Sequence, residues 1–111
     1  MTPAAGEAVF TLDRSAAVGA GPDARPGGVI AALAEAAAAA AARAWRAGSC
    51  EVATVDLHVN YLRPPAGERL SATARTTGGG RSLCFCEVRV EDAPGQVCAQ
   101  ARATLRYRDP A

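Results

Sequence analysis

Residues 28–47 read GVIAALAEAAAAAAARAWRA, twenty positions without a single breaker. Alanine is the best helix former, so the stretch predicts one helix of roughly 30 Å. Pro26 stands just ahead of it, where a residue without an N–H costs a helix least. Gly48 and Ser49 close it. Val29 to Trp45 is apolar enough to suggest a membrane span. Glu35 and Arg43 interrupt it, however, and alanine adds little to insertion, so the helix is expected to pack against protein.

Downstream of the helix the pattern changes from helical phase to period two, the signature of half-buried strands. Strands are expected over 52–62, 68–77, 83–91 and 96–107. In the first, Ala53, Val55, Leu57, Val59 and Tyr61 share a face, opposite Thr54, Asp56, His58 and Asn60. In the second, Leu70, Ala72 and Ala74 share one. In the third, Cys84, Cys86, Val88 and Val90 oppose Phe85, Glu87, Arg89 and Glu91. In the fourth, Val97, Ala99, Ala101, Ala103, Leu105 and Tyr107 face one way. Turn chemistry divides them: Arg63-Pro64-Pro65-Ala66-Gly67, Gly78-Gly79-Gly80 and Asp92-Ala93-Pro94-Gly95. Upstream, residues 7–13 (EAVFTLD) alternate with Ala8, Phe10 and Leu12 on one face, and a Gly/Ala/Pro-rich loop leads to the helix. Strand, helix and four strands with short turns predict an α+β fold, an antiparallel five-stranded sheet wrapped on one long central helix, as a single domain over 1–111. Long alternating strands with open edges invite pairing with a second copy, hence a homodimer with a continuous sheet.

Composition narrows the function classes. The chain has 111 residues, half of them hydrophobic, and a net charge of +1. That balance gives no concentrated basic field for nucleic acid or a membrane surface. All 12 basic residues are arginine. The four cysteines, Cys50, Cys84, Cys86 and Cys98, follow no basic-then-apolar leader, so reduced structural thiols and a cytoplasmic location are expected. One histidine and a C-x-C spacing do not make a zinc site, and no metal or separate cofactor is expected.

Two features carry chemistry. Gly27 and Gly28 at the helix start leave backbone N–H groups at the positive end of the helix dipole, and without Cβ atoms they let a ligand carbonyl approach, as an oxyanion hole requires. They are equally compatible with a plain loop-to-helix turn. Glu35 is the sole acid between Asp23 and Glu51, and helical phase sets it with Gly28, Ala31, Ala39 and Ala42, away from Val29 and Leu33. It is either a working acid or part of a solvated stripe that continues to Arg46, and the residues alone leave both open.

The run Pro26-Gly27-Gly28-Val29-Ile30-Ala31-Ala32-Leu33-Ala34-Glu35 resembles the signature of hotdog-fold acyl-CoA thioesterases of the phenylacetic-acid-degradation and 4-hydroxybenzoyl-CoA type. There His-Gly-Gly opens the central helix and an acid follows nine residues after the His. Val55-Asp56-Leu57-His58-Val59-Asn60-Tyr61-Leu62-Arg63-Pro64 is similar to that family's segment ending in Leu-Arg-Pro. Ala66-Gly67-Glu68, the Gly-rich turn before Arg81 and the Ala-rich last strand also match, so nearly the whole chain is covered. The resemblance implies a hotdog fold and hydrolysis of an acyl-CoA thioester. Glu35 would be nucleophile or general base, and the Gly27 and Gly28 N–H groups the oxyanion hole. Pro26, Ala39, Asn60, Arg81 and Ser82 would contact the substrate. It implies coenzyme A as part of that substrate, a homodimer or homotetramer, and acyl carrier protein as an alternative partner. Of the cations Arg63, Arg69, Arg75, Arg81, Arg102 and Arg106, Arg81 is the first choice for coenzyme A phosphates.

Three positions depart from the family. Pro26 replaces the His, Ala20 stands where many members carry Gln or Asn, and Ala39 stands where some carry Ser or Thr. Each lost polar group is worth on the order of a hundredfold in rate if it acted as an oxyanion donor. A non-catalytic acyl-CoA-binding protein is therefore the rival reading. His58, the lone imidazole, is a candidate helper, although a strand histidine is more often a surface residue. A hotdog dehydratase is disfavoured because no His precedes the helix. Gly28 and Glu35, seven residues apart, are about 10 Å apart along one helix. Both must reach one reacting centre, so the site is expected to be shared between subunits.

Overall fold

The computed structural model describes residues 6–13, 26–46 and 51–108. β1 (Glu7–Asp13) precedes a single helix, α1 (Pro26–Trp45), and β2 (Glu51–Tyr61), β3 (Arg69–Gly79), β4 (Leu83–Glu91) and β5 (Val97–Arg108) follow. They form one antiparallel sheet in the order β1-β3-β4-β5-β2. The first strand thus joins the hairpin partners β3 and β4 at one edge, and β2, the strand that leaves the helix, lies at the other. The helix touches all five strands. The reading Gly28–Ala47 for the helix shifts two residues earlier, because Pro26 and Gly27 already belong to the first turn. The loop before the helix, Ala20, Cys50 and the closing Gly48-Ser49 lie outside the described residues.

Helix and sheet meet through alanine. Ala34, Ala37, Ala38, Ala41 and Ala42 are fully buried and face Ala72, Ala74, Ala99, Ala101 and Ala103 on the inner side of the sheet. Side chains this small let backbones approach closely. Ile30 and Leu33 plug the N-terminal half, each contributing about 1.5–3 kcal/mol by burial. Under the C-terminal half, Thr76 Oγ1 lies 3.6 Å from both Cys84 Sγ and Cys86 Sγ, and Cys86 Sγ donates to the Ala38 carbonyl at 3.6 Å. Cys84 and Cys86 are buried thiols, and Cys98 is buried as well, its Sγ donating to the Val90 carbonyl at 3.5 Å. Burial pushes the Cys86 thiol up to about 12. Among the described residues no group of His, Cys, Asp and Glu is arranged to hold a metal.

Strict alternation fails at three bulges, one at Thr77 near the end of β3 and two that change the expected faces. Thr54 pairs with Leu105 and Asp56 with Thr104, so Val55 is an extra residue in β2. An added residue reverses the faces on one side of it. Val52 and Thr54 therefore face inward with Leu57 and Val59, Ala53 pairs with outward Arg106, and Val55 is 60% exposed. The expectation that Ala53 and Val55 share the apolar face is thus corrected. Likewise Val90 pairs with Ala99 but Glu91 with Val97, which removes Val97 from the inner register and buries Cys98. At the β3–β4 turn, Gly79 is required: a Cβ there would lie 2.5 Å from the Leu83 carbonyl oxygen.

Candidate functional site

One side of α1 is left uncovered by the sheet. Gly28, Ala32, Glu35 and Ala36 are exposed there, while Ile30, Leu33, Ala34, Ala37 and Ala38 are buried on the other. Glu35 thus projects from the helix surface of the single chain and is not sunk against the sheet. Ala42, assigned to the same stripe by helical phase, is fully buried, and Ala39 is half-buried at the border.

The helix start is open. Among the described residues, a Cβ built on Gly28 would meet nothing within 4 Å, whereas one on Gly27 would meet the Tyr61 ring at 3.5 Å. Tyr61, the last residue of β2, donates its hydroxyl proton to the Gly27 carbonyl at 2.8 Å. Pairing with Ala99 turns its side chain to the inner face, and Leu62 N–H donates to the Cys98 carbonyl at 2.9 Å to hold the strand end. Sequence reading counted Tyr61 only as a core-face residue. The signal that could have singled it out is a phenol at the end of a strand, immediately before Leu62-Arg63-Pro64.

The second tyrosine, Tyr107, clasps the other end of the helix. Its hydroxyl donates to the Ala42 carbonyl, and the Arg46 guanidinium lies 5.0 Å over its ring. Burial raises the Tyr107 phenol above its ordinary value. Arg46 Nη1 donates to the Arg81 carbonyl at 3.0 Å, and Tyr107 N–H donates to the Ser82 carbonyl at 2.9 Å. Arg81 and Ser82 are exposed beside the helix C-terminus, so within one chain nearly a helix length, roughly 25 Å, separates them from Gly27.

The remaining candidates scatter. Asn60 and His58 lie on the outer face of the sheet, opposite Gln100 and Arg102, with His58 Nε2 3.3 Å from Asn60 Oδ1. Arg63 is not available for phosphates. It pairs with the buried Asp92 at 2.8 Å, and Asp92 also accepts the Ala66 and Gln96 N–H groups at 3.0 and 3.1 Å. Those contacts, the Ala66 N–H first and Arg63 next, hold the Asp92 carboxyl below the ordinary 3.8. Arg75 pairs with Glu87 on the outer face at 3.4 Å. One chain therefore brings together Gly27, Gly28 and Tyr61, with Glu35 farther along the same bare helix face.

A family model described as the thioesterase superfamily matches residues 27–99. No curated protein matches the sequence. Among solved structures, the thioesterase HI1161 of Haemophilus influenzae is 25% identical with a TM-score of 0.76, the match covering 93% of this chain and 71% of that one. The PaaI protein of the Escherichia coli phenylacetic acid degradation operon is 21% identical with a TM-score of 0.79, covering 96% and 75%. The BH2602 protein of Bacillus halodurans, solved with CoA, is 20% identical with a TM-score of 0.80, covering 90% and 66%. With the family match spanning both the helix start and Glu35, and a five-stranded antiparallel sheet wrapped on one helix, this chain belongs to the thioesterase superfamily and has its hotdog fold.

Proposed function

We propose that the chain hydrolyses acyl-CoA thioesters at a site formed between two copies of itself. The observation that carries this is the bare helix face: Glu35 and the open backbone at Gly28 lie on the side of α1 that the sheet does not cover. Glu35 acts as nucleophile or as general base on water. The Gly27 and Gly28 N–H groups, free of intrahelical acceptors in a first turn, stabilise the oxyanion. Because seven helical residues span about 10 Å, one chain's helix start works with the other chain's Glu35. The open edge of β2 supplies a surface on which the dimer, and from it a tetramer, assembles. Arg81 and Ser82 meet the coenzyme A portion, Pro26 and Ala39 border the acyl group, and Asn60 remains a substrate contact only through assembly. A cytoplasmic setting suits the reduced thiols.

Support comes from the family match and from the CoA held by the Bacillus halodurans relative. In a Staphylococcus aureus thioesterase, a glutamine and a glutamate replaced by alanine in separate structures are separated by the same interval as Ala20 and Glu35 here. That interval also supports the second reading, binding of an acyl-CoA or acyl carrier protein without turnover, since Ala20, Pro26 and Ala39 supply no polar helper. Thiol release measured over aryl-, short- and medium-chain acyl-CoAs separates the two. Turnover that falls about a hundredfold or more in Glu35→Ala is expected. Turnover untouched by that substitution would sink the mechanism, and tight CoA binding with no turnover would establish the second reading.

A further inference from the structure

β2 is an outermost strand of the sheet, so one of its edges faces away from β5. Antiparallel strands exchange both backbone bonds at every second residue, and the residues between turn theirs to the other side. Leu62, which continues the register past Tyr61 and Ala99, donates its N–H to the Cys98 carbonyl at 2.9 Å. Asn60, His58 and Asp56 therefore bond to β5 as well, and Leu57, Val59 and Tyr61 offer their N–H and C=O groups to the open edge. The bulge at Val55 breaks this alternation on one side, and β2 ends at Tyr61 on the other. The regular open edge thus runs over 57–61, with Val59 at its middle. On the inner face of the same stretch Leu57 and Val59 are half-buried and Tyr61 is exposed, a row that α1 covers only in part.

We infer that a second copy pairs antiparallel on this edge in one register, with Val59 opposite the partner's Val59. A two-fold axis makes open residues meet open residues, so the centre falls on a residue and not between two. Centred on Val59, all three open residues pair: Leu57 with the partner's Tyr61, Val59 with the partner's Val59, and Tyr61 with the partner's Leu57. Every other centre carries at least one of them into the bulge or past the strand end. The helix leads to the same register. Tyr61 donates to the Gly27 carbonyl, so the helix start is level with Tyr61. Tyr107, opposite Val52 of β2, donates to the Ala42 carbonyl, so α1 runs back along β2. Glu35 lies about midway between these two contacts along the helix, and midway between Tyr61 and Val52 along β2 is the stretch 56–57. Pairing Leu57 with the partner's Tyr61 therefore brings Glu35 level with the partner's helix start. Moving the centre by one residue slides the two about 7 Å apart. The inference rests on a site shared between two copies and adds the register that assembles it.

The test places one cysteine at a time along β2 and oxidises each variant with glutathione disulfide, beside the parent chain, whose Cys84, Cys86 and Cys98 are buried. Val59→Cys is expected to give a covalent dimer, because directly opposed residues of a bonded pair have Cα atoms about 5.5 Å apart, within reach of a disulfide. His58→Cys and Leu57→Cys alone should give none, since each lies about 7 and 14 Å along the strand from its own counterpart. Leu57→Cys mixed with Tyr61→Cys should cross-link. Amide hydrogen exchange on the parent chain needs no variant. The Leu57, Val59 and Tyr61 amides should exchange about tenfold or more slowly than Val52, an open-edge residue beyond the bulge. A covalent dimer from Leu57→Cys or His58→Cys, or exchange at those three as fast as at Val52, overturns the inference. A Val59 cross-link in a chain without turnover upholds the register and leaves the failure with the hydrolase reading.

Discussion

At Gly28 stability and activity are expected to part. The position is helical and open, so Gly28→Ala removes backbone freedom from the unfolded chain and should stabilise the fold by about 0.4–1 kcal/mol. In the proposed site the new methyl would stand where the reacting carbonyl approaches, so thiol release should fall. A raised midpoint in thermal unfolding together with a lowered kcat is the expected pair, and unimpaired turnover would remove Gly28 from the site. Asp92 gives a pH dependence of known sign. Its carboxyl is held below 3.8 by the Ala66 N–H and Arg63, so the stability it contributes is fully present above the unfolded value and is lost as pH falls through the lower folded value. Acid unfolding followed by circular dichroism should show an acid limb below about pH 4. In Asp92→Asn that limb should flatten, because the substituted chain lacks the stabilisation even at neutral pH.

Among the elements, the clasp at the helix C-terminus is the one that stability depends on. Tyr107→Phe removes the hydroxyl that donates to the Ala42 carbonyl inside the protein, a net hydrogen bond worth about 0.5–1.5 kcal/mol. Denaturant unfolding should register that loss with little effect on kcat. The elements were legible in the sequence because each carried a single period: β1 lies over 7–13 as read, and α1 and the later strands fall within about two residues of their expected bounds. What could not be read were the bulges at Val55 and Cys98. A bulge inserts one residue without changing composition, and apolar Val55 looks identical whether it faces the helix or solvent. In the proposed site, Glu35, Gly27 and Gly28 were singled out by the resemblance to the family signature, because spacing alone left each of them open. Tyr61 was not, because its role depends on where the end of β2 comes to rest against a helix 34 residues earlier in the chain. The ion pair of Arg63, one of six arginines weighed for phosphates, was not legible because its partner, Asp92, lies two strands away.

For the molecule as a whole, the proposed site between two copies makes a subunit-mixing prediction. Glu35→Ala chains and Gly28→Val chains should each be nearly inactive. Mixed and allowed to exchange subunits, they should regain part of the thiol release, because a heterodimer contains one site with both intact groups. No rescue after verified exchange would mean that each chain houses a complete site. The alanine seam between helix and sheet has a separate, thermal consequence. Among the described residues, just over half of the buried apolar side chains are alanine, so unfolding exposes less hydrocarbon per residue than a core of leucine and isoleucine would. Heat capacity follows that exposed area, and calorimetry should give an increment at or below about 12 cal/mol/K per residue, the low end of the usual range. A small increment flattens the curve of stability against temperature, so this chain should lose stability slowly on cooling and on warming alike.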